Sequence, residues 1–192
     1  MNDEPPALDS VSLHRTVAKS VHPWMTEEET AFLAEHIRRT DRVFEWGAGS
    51  STLWLAARCR RLTSVEHNPF VTRTLLQVLP DNVSLLHIPP EQPFSEGKGD
   101  DGDLDTFRSY TEAYTGKGID VVLIDGRARV ACARQVAEIA QYAPHPGLKV
   151  FIHDANREEY QRIWVRDDKR WGREFLTPVK QVGSLLLMGM RD

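Results

Sequence analysis

Cysteine is scarce: the 192 residues contain two, Cys59 and Cys132. Without Cys-x-x-Cys or Cys/His spacing they exclude a zinc finger, and they are too few for a disulfide framework. A cytoplasmic location is therefore expected. Long apolar runs are also missing, so neither a membrane span nor a membrane partner is expected. The opening MNDEPPALDS has no basic region followed by an apolar one, which argues against a signal peptide. There is no surplus of positive charge: 24 Lys and Arg stand against 28 Asp and Glu, a formal net charge of −4. That balance argues against a nucleic-acid partner, which calls for a basic surface. Internal repeats and low-complexity tracts are absent.

What is present reads as one soluble domain over 1–192, with residues 1–25 as an N-terminal extension. Hydrophobic residues make up 41% and charged residues 27%, ordinary values for a globular chain. Thr26, Glu27, Glu28 and Glu29 form a capping-box start, and Phe32, Leu33, His36 and Ile37 continue a helical stripe through residue 39. Short apolar runs at 42–46, 62–66, 83–88, 119–124 and 149–153 read as strands. Helical patterns at 51–58, 69–79, 104–114, 130–140 and 157–165 alternate with them. Residues 89–103, with three prolines, three glycines and several acids, read as a long loop. The final stretch reads as two strands joined near Gly183. The fold class expected is α/β: a three-layer, Rossmann-like, doubly wound sheet, mostly parallel with an antiparallel C-terminal hairpin.

The stretch 43–56, VFEWGAGSSTLWLA, runs from a strand through a Gly-x-Gly turn into a helix. Ligands of open parallel sheets bind outside the C-terminal strand ends. Gly47 and Gly49 allow close approach of backbone to ligand. Glu66, 21 residues after Glu45, ends the second strand, where a carboxylate accepts hydrogen bonds from both hydroxyls of a ribose. The dinucleotide pattern wants a third small residue, and here that position is Thr52. An acid just before the loop suits an amine or a water network better than a diphosphate. These features describe an adenosine-type ligand with an amino group and no phosphate.

With "EWGAG" at 45–49, "SVEHN" carrying Glu66 and "VVLIDGR" carrying Asp125, the chain resembles the class I S-adenosylmethionine-dependent methyltransferases over roughly residues 26–190. The resemblance implies S-adenosyl-L-methionine as cofactor, held by Glu45, Trp46, Gly47, Ala48, Gly49, Ser50, Glu66, His67, Asp125 and Gly126. Glu45, Gly47 and Gly49 would line the methionine end. Asp125, His153 and Asp154 are the candidates for a catalytic base, and the carboxylates Glu45, Glu66, Asp125 and Asp154 are expected to converge on one cleft.

Each of these has a plainer alternative. Trp46 reads more simply as a core aromatic than as a wall at a sulfonium, and Trp54 as packing. Asp125 and Asp154 could cap the helices that follow. Arg127 and Arg129 could hold an acidic acceptor or stand exposed at a helix start. His87 could border an adenine or be a loop histidine. "HDAN" at 153–156 loosely resembles the metal set of catechol-type O-methyltransferases, but its Asp-Ala-Asn spacing differs, so no metal is expected. No Asn/Asp-Pro-Pro-Tyr/Phe motif is present, which disfavours methylation of adenine or glutamine amino groups. A small-molecule acceptor is the partner expected, and a homo-oligomer is left open. The competing functions are a nicotinamide-dependent oxidoreductase and a catalytically silent cofactor-binding module.

Overall fold

The computed structural model describes residues 22–94, 101–163 and 176–190. In chain order the elements are α1 (Glu27–Glu35), β1 (Arg42–Trp46), α2 (Ser50–Ala56), β2 (Arg61–Glu66), α3 (Pro69–Leu75), β3 (Val83–His87) and α4 (Arg108–Glu112). They continue with β4 (Val121–Ile124), α5 (Arg129–Tyr142), β5 (Lys149–Ile152), a 3-10 turn (Glu158–Ile163), β6 (Leu176–Val182) and β7 (Leu185–Met190). The strands form one seven-stranded sheet in the order β3-β2-β1-β4-β5-β7-β6. β1 to β5 are parallel, and β7 lies antiparallel between β5 and β6. The expected doubly wound sheet with its late hairpin is the one observed. The order reverses between β1 and β4, which creates the crevice where ligands of such sheets bind.

Alternation along the strands sorts the core into two layers. Val43, Leu62, Val121, Leu123 and Phe151 pack with Phe32 and Leu33 of α1 and Trp54 and Leu55 of α2. Phe44, Trp46, Val122, Ile124 and Val150 face the other way, against Tyr110 of α4 and Cys132, Val136 and Ala137 of α5. β4 is buried along its whole length, as a central parallel strand should be.

Local chemistry sets the helix ends. The Thr26 hydroxyl accepts from Glu29 N–H at 3.2 Å while Glu29 Oε2 accepts from Thr26 N–H at 2.9 Å. Asn68 Oδ1 accepts from Phe70 N–H at 2.9 Å, and Pro69 opens α3. Three helices are shorter than their patterns suggest. α1 stops before 39 because Arg38 and Asp41 close a turn into β1. α3 tightens after Leu75 into turns with i→i−3 bonds. Asp103 caps a turn through Phe107, which delays α4 to Arg108. The charged helix expected at 157–165 is a 3-10 turn over its described part; 164 and 165 lie outside the described residues. Of the loop 89–103, residues 95–100 lie outside them too. Its flanks act as remote caps. Glu91 accepts from Arg108 and Ser109 N–H at 2.9 and 2.7 Å, and Asp101 accepts from Arg129 N–H at 2.9 Å. Among the described residues no helix is long and apolar enough to cross a membrane.

Candidate active site

A cavity of about 410 Å³ opens at the C-terminal ends of β1, β2 and β4. Eight of the ten expected cofactor residues line it: Gly47, Ala48, Gly49, Ser50, Glu66, His67, Asp125 and Gly126. The other two, Glu45 and Trp46, do not. Both lie within β1, and their side chains enter the core layers on the two faces of the sheet while the cavity lies beyond the strand end. Glu45 turns toward α2 and is fully buried. Trp46 turns to the other layer, where its indole Nε1 donates to the Tyr110 carbonyl at 2.9 Å. Trp46 is thus a core aromatic, and Trp54 is packing as expected.

Glu45 sits in a cradle of hydroxyls. Ser51 and Thr52 from the first turn of α2 donate to it at 2.5 and 2.7 Å, and Ser64 of β2 at 2.6 Å. Thr52 Oγ1 also accepts from Gly49 N–H at 2.9 Å. The residue that replaces the third glycine of a dinucleotide loop therefore ties the loop to the strand beneath it. Burial pushes the Glu45 carboxyl up to about 7, against the pull of the three hydroxyls, and the Asp125 charge adds to the rise.

The two loop glycines differ in role. Gly47 has φ +90°, and a Cβ there would stand 2.5 Å from Gly126 Cα. Glycine is required on both counts. Gly47 N–H donates to the Val65 carbonyl of β2 at 2.9 Å, and Asp125 N–H to the Trp46 carbonyl at 3.0 Å, so the end of β1 is tied by its backbone to both neighbouring strands. At Gly49 a Cβ would meet nothing within 4 Å. That open side faces the cavity.

Glu66 is buried at the end of β2, and its Oε1 accepts from Asn68 N–H at 2.7 Å. His67 Nδ1 lies 3.0 Å from the same oxygen. The rings of Phe107, Phe94 and Tyr110 stand edge-on to the His67 ring at 5.6 to 6.3 Å. His87 lies on the edge strand β3, exposed, with Nε2 3.1 Å from the His67 carbonyl.

At the ends of β4 and β5 the acids are held by cations. Arg129 is buried, contrary to the exposed alternative. Its Nη1 donates to Asp154 Oδ2 at 2.9 Å and to the His153 carbonyl at 2.7 Å, and its Nη2 is 3.4 Å from Asp125 Oδ1. Arg157 adds a second guanidinium 2.7 Å from Asp154 Oδ2. Asp154 itself has φ +56°. His153 Nδ1 is 2.8 Å from Asp125 Oδ1, and its Nε2 is 3.8 Å from Glu29 Oε2. Burial alone would lower the His153 imidazole; the hydrogen bond and charge of Asp125, with the charge of Asp154, leave it raised above its ordinary value. Asp125 lines the cavity, whereas His153 and Asp154 lie behind it. Asp125 does not cap α5: Asp101 does. Asp125, His153 and Asp154 each bring one ligand atom within 4.8 Å of the others. Arg129 already supplies a cation to two of them, and Asn156 is exposed.

Sequence reasoning overlooked part of the lining. Trp24, in the extension, borders the cavity although 81% exposed, and Val71, Thr74 and Leu75 of α3 close one side. Arg157 was hidden in a run of mixed charges. The only local signal for Trp24 is its place two residues before the capping box.

No protein-family model matches the chain, and no curated protein matches it. Solved structures do. A methyltransferase-like protein from Silicibacter pomeroyi is 22% identical, with 88% of each chain covered and a TM-score of 0.62. A methyltransferase from Geobacter sulfurreducens is 19% identical over 98% of this chain and 91% of that one, at 0.52. The MycE methyltransferase of the mycinamycin pathway, in complex with Mg, S-adenosylhomocysteine (SAH) and mycinamycin VI, is 13% identical over 95% of this chain and 53% of its own, at 0.53. At these identities the likeness is one of architecture: the chain has the class I S-adenosylmethionine-dependent methyltransferase fold.

Proposed function

We propose that the chain is a methyltransferase that uses S-adenosylmethionine to methylate a small molecule in the cytoplasm. The observation that carries this reading is the pairing of Gly49, whose open side faces the cavity, with the buried carboxylate Glu66 at the end of the next strand. Glu66 uses Oε1 for Asn68, and a carboxylate has acceptor capacity for more than one donor. It would hold the ribose hydroxyls, with His67 beside it. Asp125 would hold the amino group. The cavity volume falls in the range, about 300–1,000 Å³, that small-molecule sites occupy. Neighbours of the same fold support the reading, one of them solved with SAH. Both cysteines are free and buried, consistent with a reducing compartment.

When bound, the cofactor supplies a methyl group on a sulfonium that is already a good leaving group. The task of the chain is then to orient the partners and exclude water. Glu45 contributes by fixing the glycine loop from below, through Ser51 and Thr52. No observation favours the nicotinamide alternative, since the position needed for a close pyrophosphate is Thr52, tied to Glu45 and Gly49.

Calorimetry with SAH, S-adenosylmethionine and NAD tests the reading. One-to-one binding of the first two and none of NAD is expected. Binding of NAD without SAH would overturn it.

A further inference from the structure

We propose that Glu29, on α1 and outside the cavity wall, is a positioning residue for the cofactor: it holds His153, and His153 holds Asp125 in the orientation that receives the cofactor's amino group. The inference rests on the cofactor site proposed above and adds to it a residue that does not line the cavity.

Glu29 is a buried carboxylate with its own fixed partners. Its Oε1 accepts from Ser184 N–H and Oγ at 2.5 and 2.7 Å, and its Oε2 from Thr26 N–H at 2.9 Å. The side chain is thereby locked between the start of α1 and the β6–β7 turn. Burial alone would raise its carboxyl; the hydrogen bonds from Thr26 and Ser184 leave it lowered, so the charge is kept. Oε2 also stands 3.8 Å from His153 Nε2. The opposite ring nitrogen, Nδ1, stands 2.8 Å from Asp125 Oδ1. His153 is buried, with a carboxylate at each nitrogen.

That arrangement selects a protonation state. A neutral imidazole has one N–H and one lone pair. In either tautomer the lone pair would face a carboxylate. The doubly protonated ring meets both acids with N–H groups, and its hydrogen bond to Asp125 is then charge-assisted, roughly twice as strong as a neutral one. Two other charged groups face the ring: Asp154 at the end of β5 favours its charged form, and Arg129 of α5 opposes it. Without the Glu29 charge, the Nε2 proton loses its partner and the ring donates to Asp125 as a neutral group.

Asp125 is the member of this chain of contacts that lines the cavity. Its backbone N–H, on the Trp46 carbonyl, fixes only the root of the side chain. The carboxylate itself is oriented through Oδ1, by His153 at 2.8 Å and Arg129 at 3.4 Å, which leaves Oδ2 to the amino group. A carboxylate set in this way before the ligand arrives loses little rotamer freedom on binding. The start of α1 and the turn of the C-terminal hairpin thus bear on cofactor affinity through one buried charge.

The test combines SAH calorimetry with ring-nitrogen NMR of His153 on the full chain. His153→Leu removes the donor and should weaken SAH about tenfold, the loss of one hydrogen bond to a charged group. His153→Asn keeps an N–H in the Nδ1 position and should recover most of that loss. Glu29→Gln should weaken SAH about threefold at pH 7. Ser184→Ala takes a hydroxyl from Glu29 but leaves its charge, and should bind SAH as the wild type does. By NMR the wild-type ring should lose its second proton above about pH 6.5, the ordinary imidazole value. In Glu29→Gln it should lose it at lower pH, with SAH affinity falling over the same interval; a merely loosened helix would not move that titration. A wild-type ring that is neutral below pH 6.5 would overturn the proposal without any variant. So would an unmoved titration in folded Glu29→Gln, or His153→Leu protein that binds SAH as tightly as the wild type; in these cases the cofactor site stands. Wild-type protein that does not bind SAH would overturn the methyltransferase reading, and the positioning role with it.

Discussion

Two carboxylate sites, one fully buried and one half-buried, flank the ends of β1 and β4, and they are partnered in opposite ways. Under the glycine loop, Glu45 meets three hydroxyls and no cation. At the β5 end, Asp125 and Asp154 meet Arg129, with His153 and Arg157 alongside. Neutral donors leave burial in control, so the Glu45 carboxyl rises to about 7. The second site has guanidinium partners instead. The first arrangement is a structural tie whose charge depends on pH; the second is a network of ion pairs centred on Arg129. The contrast also shows why two acids with the same strand-end signature have different roles.

The sharpest way to break the comparison is to remove a partner from each site. Arg129→Met strips the cation from Asp125 and Asp154, and from Asp101, whose charge it also faces. Breaking a buried ion pair from one side costs about 3–5 kcal/mol. Glu45→Gln keeps the shape and an acceptor oxygen, and should cost about 1 kcal/mol or less at pH 7. Urea midpoints measure both; equal losses would erase the distinction between a cationic clamp and a neutral cradle.

The next effect is pH-dependent. Glu45 holds its proton more tightly folded than unfolded, because burial raises its pKa from 4.5 to about 7. Its contribution is complete below pH 4.5 and is lost as pH rises through about 7, a fall of about 3 kcal/mol. His153, raised by Asp125 against its burial, has the same sign: its contribution is lost as pH rises through its raised folded value. Thermal unfolding from pH 5 to 8 should therefore show falling stability in the wild type and a shallower slope in Glu45→Gln. An unchanged slope would place the titration elsewhere.

Glu66 sharpens the contrast from the side of the ligand. Glu66→Ala should weaken SAH binding by about 1.5–3 kcal/mol, the range for hydrogen bonds to a charged group, and leave the fold intact. Glu45→Gln should change that affinity far less. Calorimetry on both variants separates a carboxylate that touches the ligand from one that holds the loop.

Much of the fold was legible because apolar runs and turn residues act locally. The capping box at Thr26 and the β1 span Arg42–Trp46 needed no distant information. Strand parity could have placed Glu45 and Trp46 in opposite core layers, since successive side chains point to opposite faces. The ion-pair network was harder to read. Arg129 joins segments around residues 101, 125 and 154, and nothing near it in the chain says that three acids converge there. Glu29 is a second case: its carboxylate accepts from Ser184, 155 residues away, and pins the β6–β7 turn to the start of α1. Trp24 reaches the cavity from the N-terminal extension.

The smallest expected effect on stability tests the glycine loop itself. Gly47 and Gly49 look equivalent in the sequence, yet only Gly47 is confined. Its φ of +90° and the Gly126 backbone 2.5 Å from an added Cβ make Gly47→Ala a strained and destabilised variant. Gly49 has φ −174°, extended backbone open to any residue, and an added methyl group would meet no protein atom. Gly49→Ala should therefore unfold within about 0.5 kcal/mol of the wild type. The added Cβ occupies cavity space, so SAH binding should still weaken. The decisive pair of measurements is a urea midpoint and an SAH titration on the same Gly49→Ala protein. Unchanged stability with lowered affinity places the ligand against Gly49; unchanged affinity would move it away from the loop and undo the cofactor site.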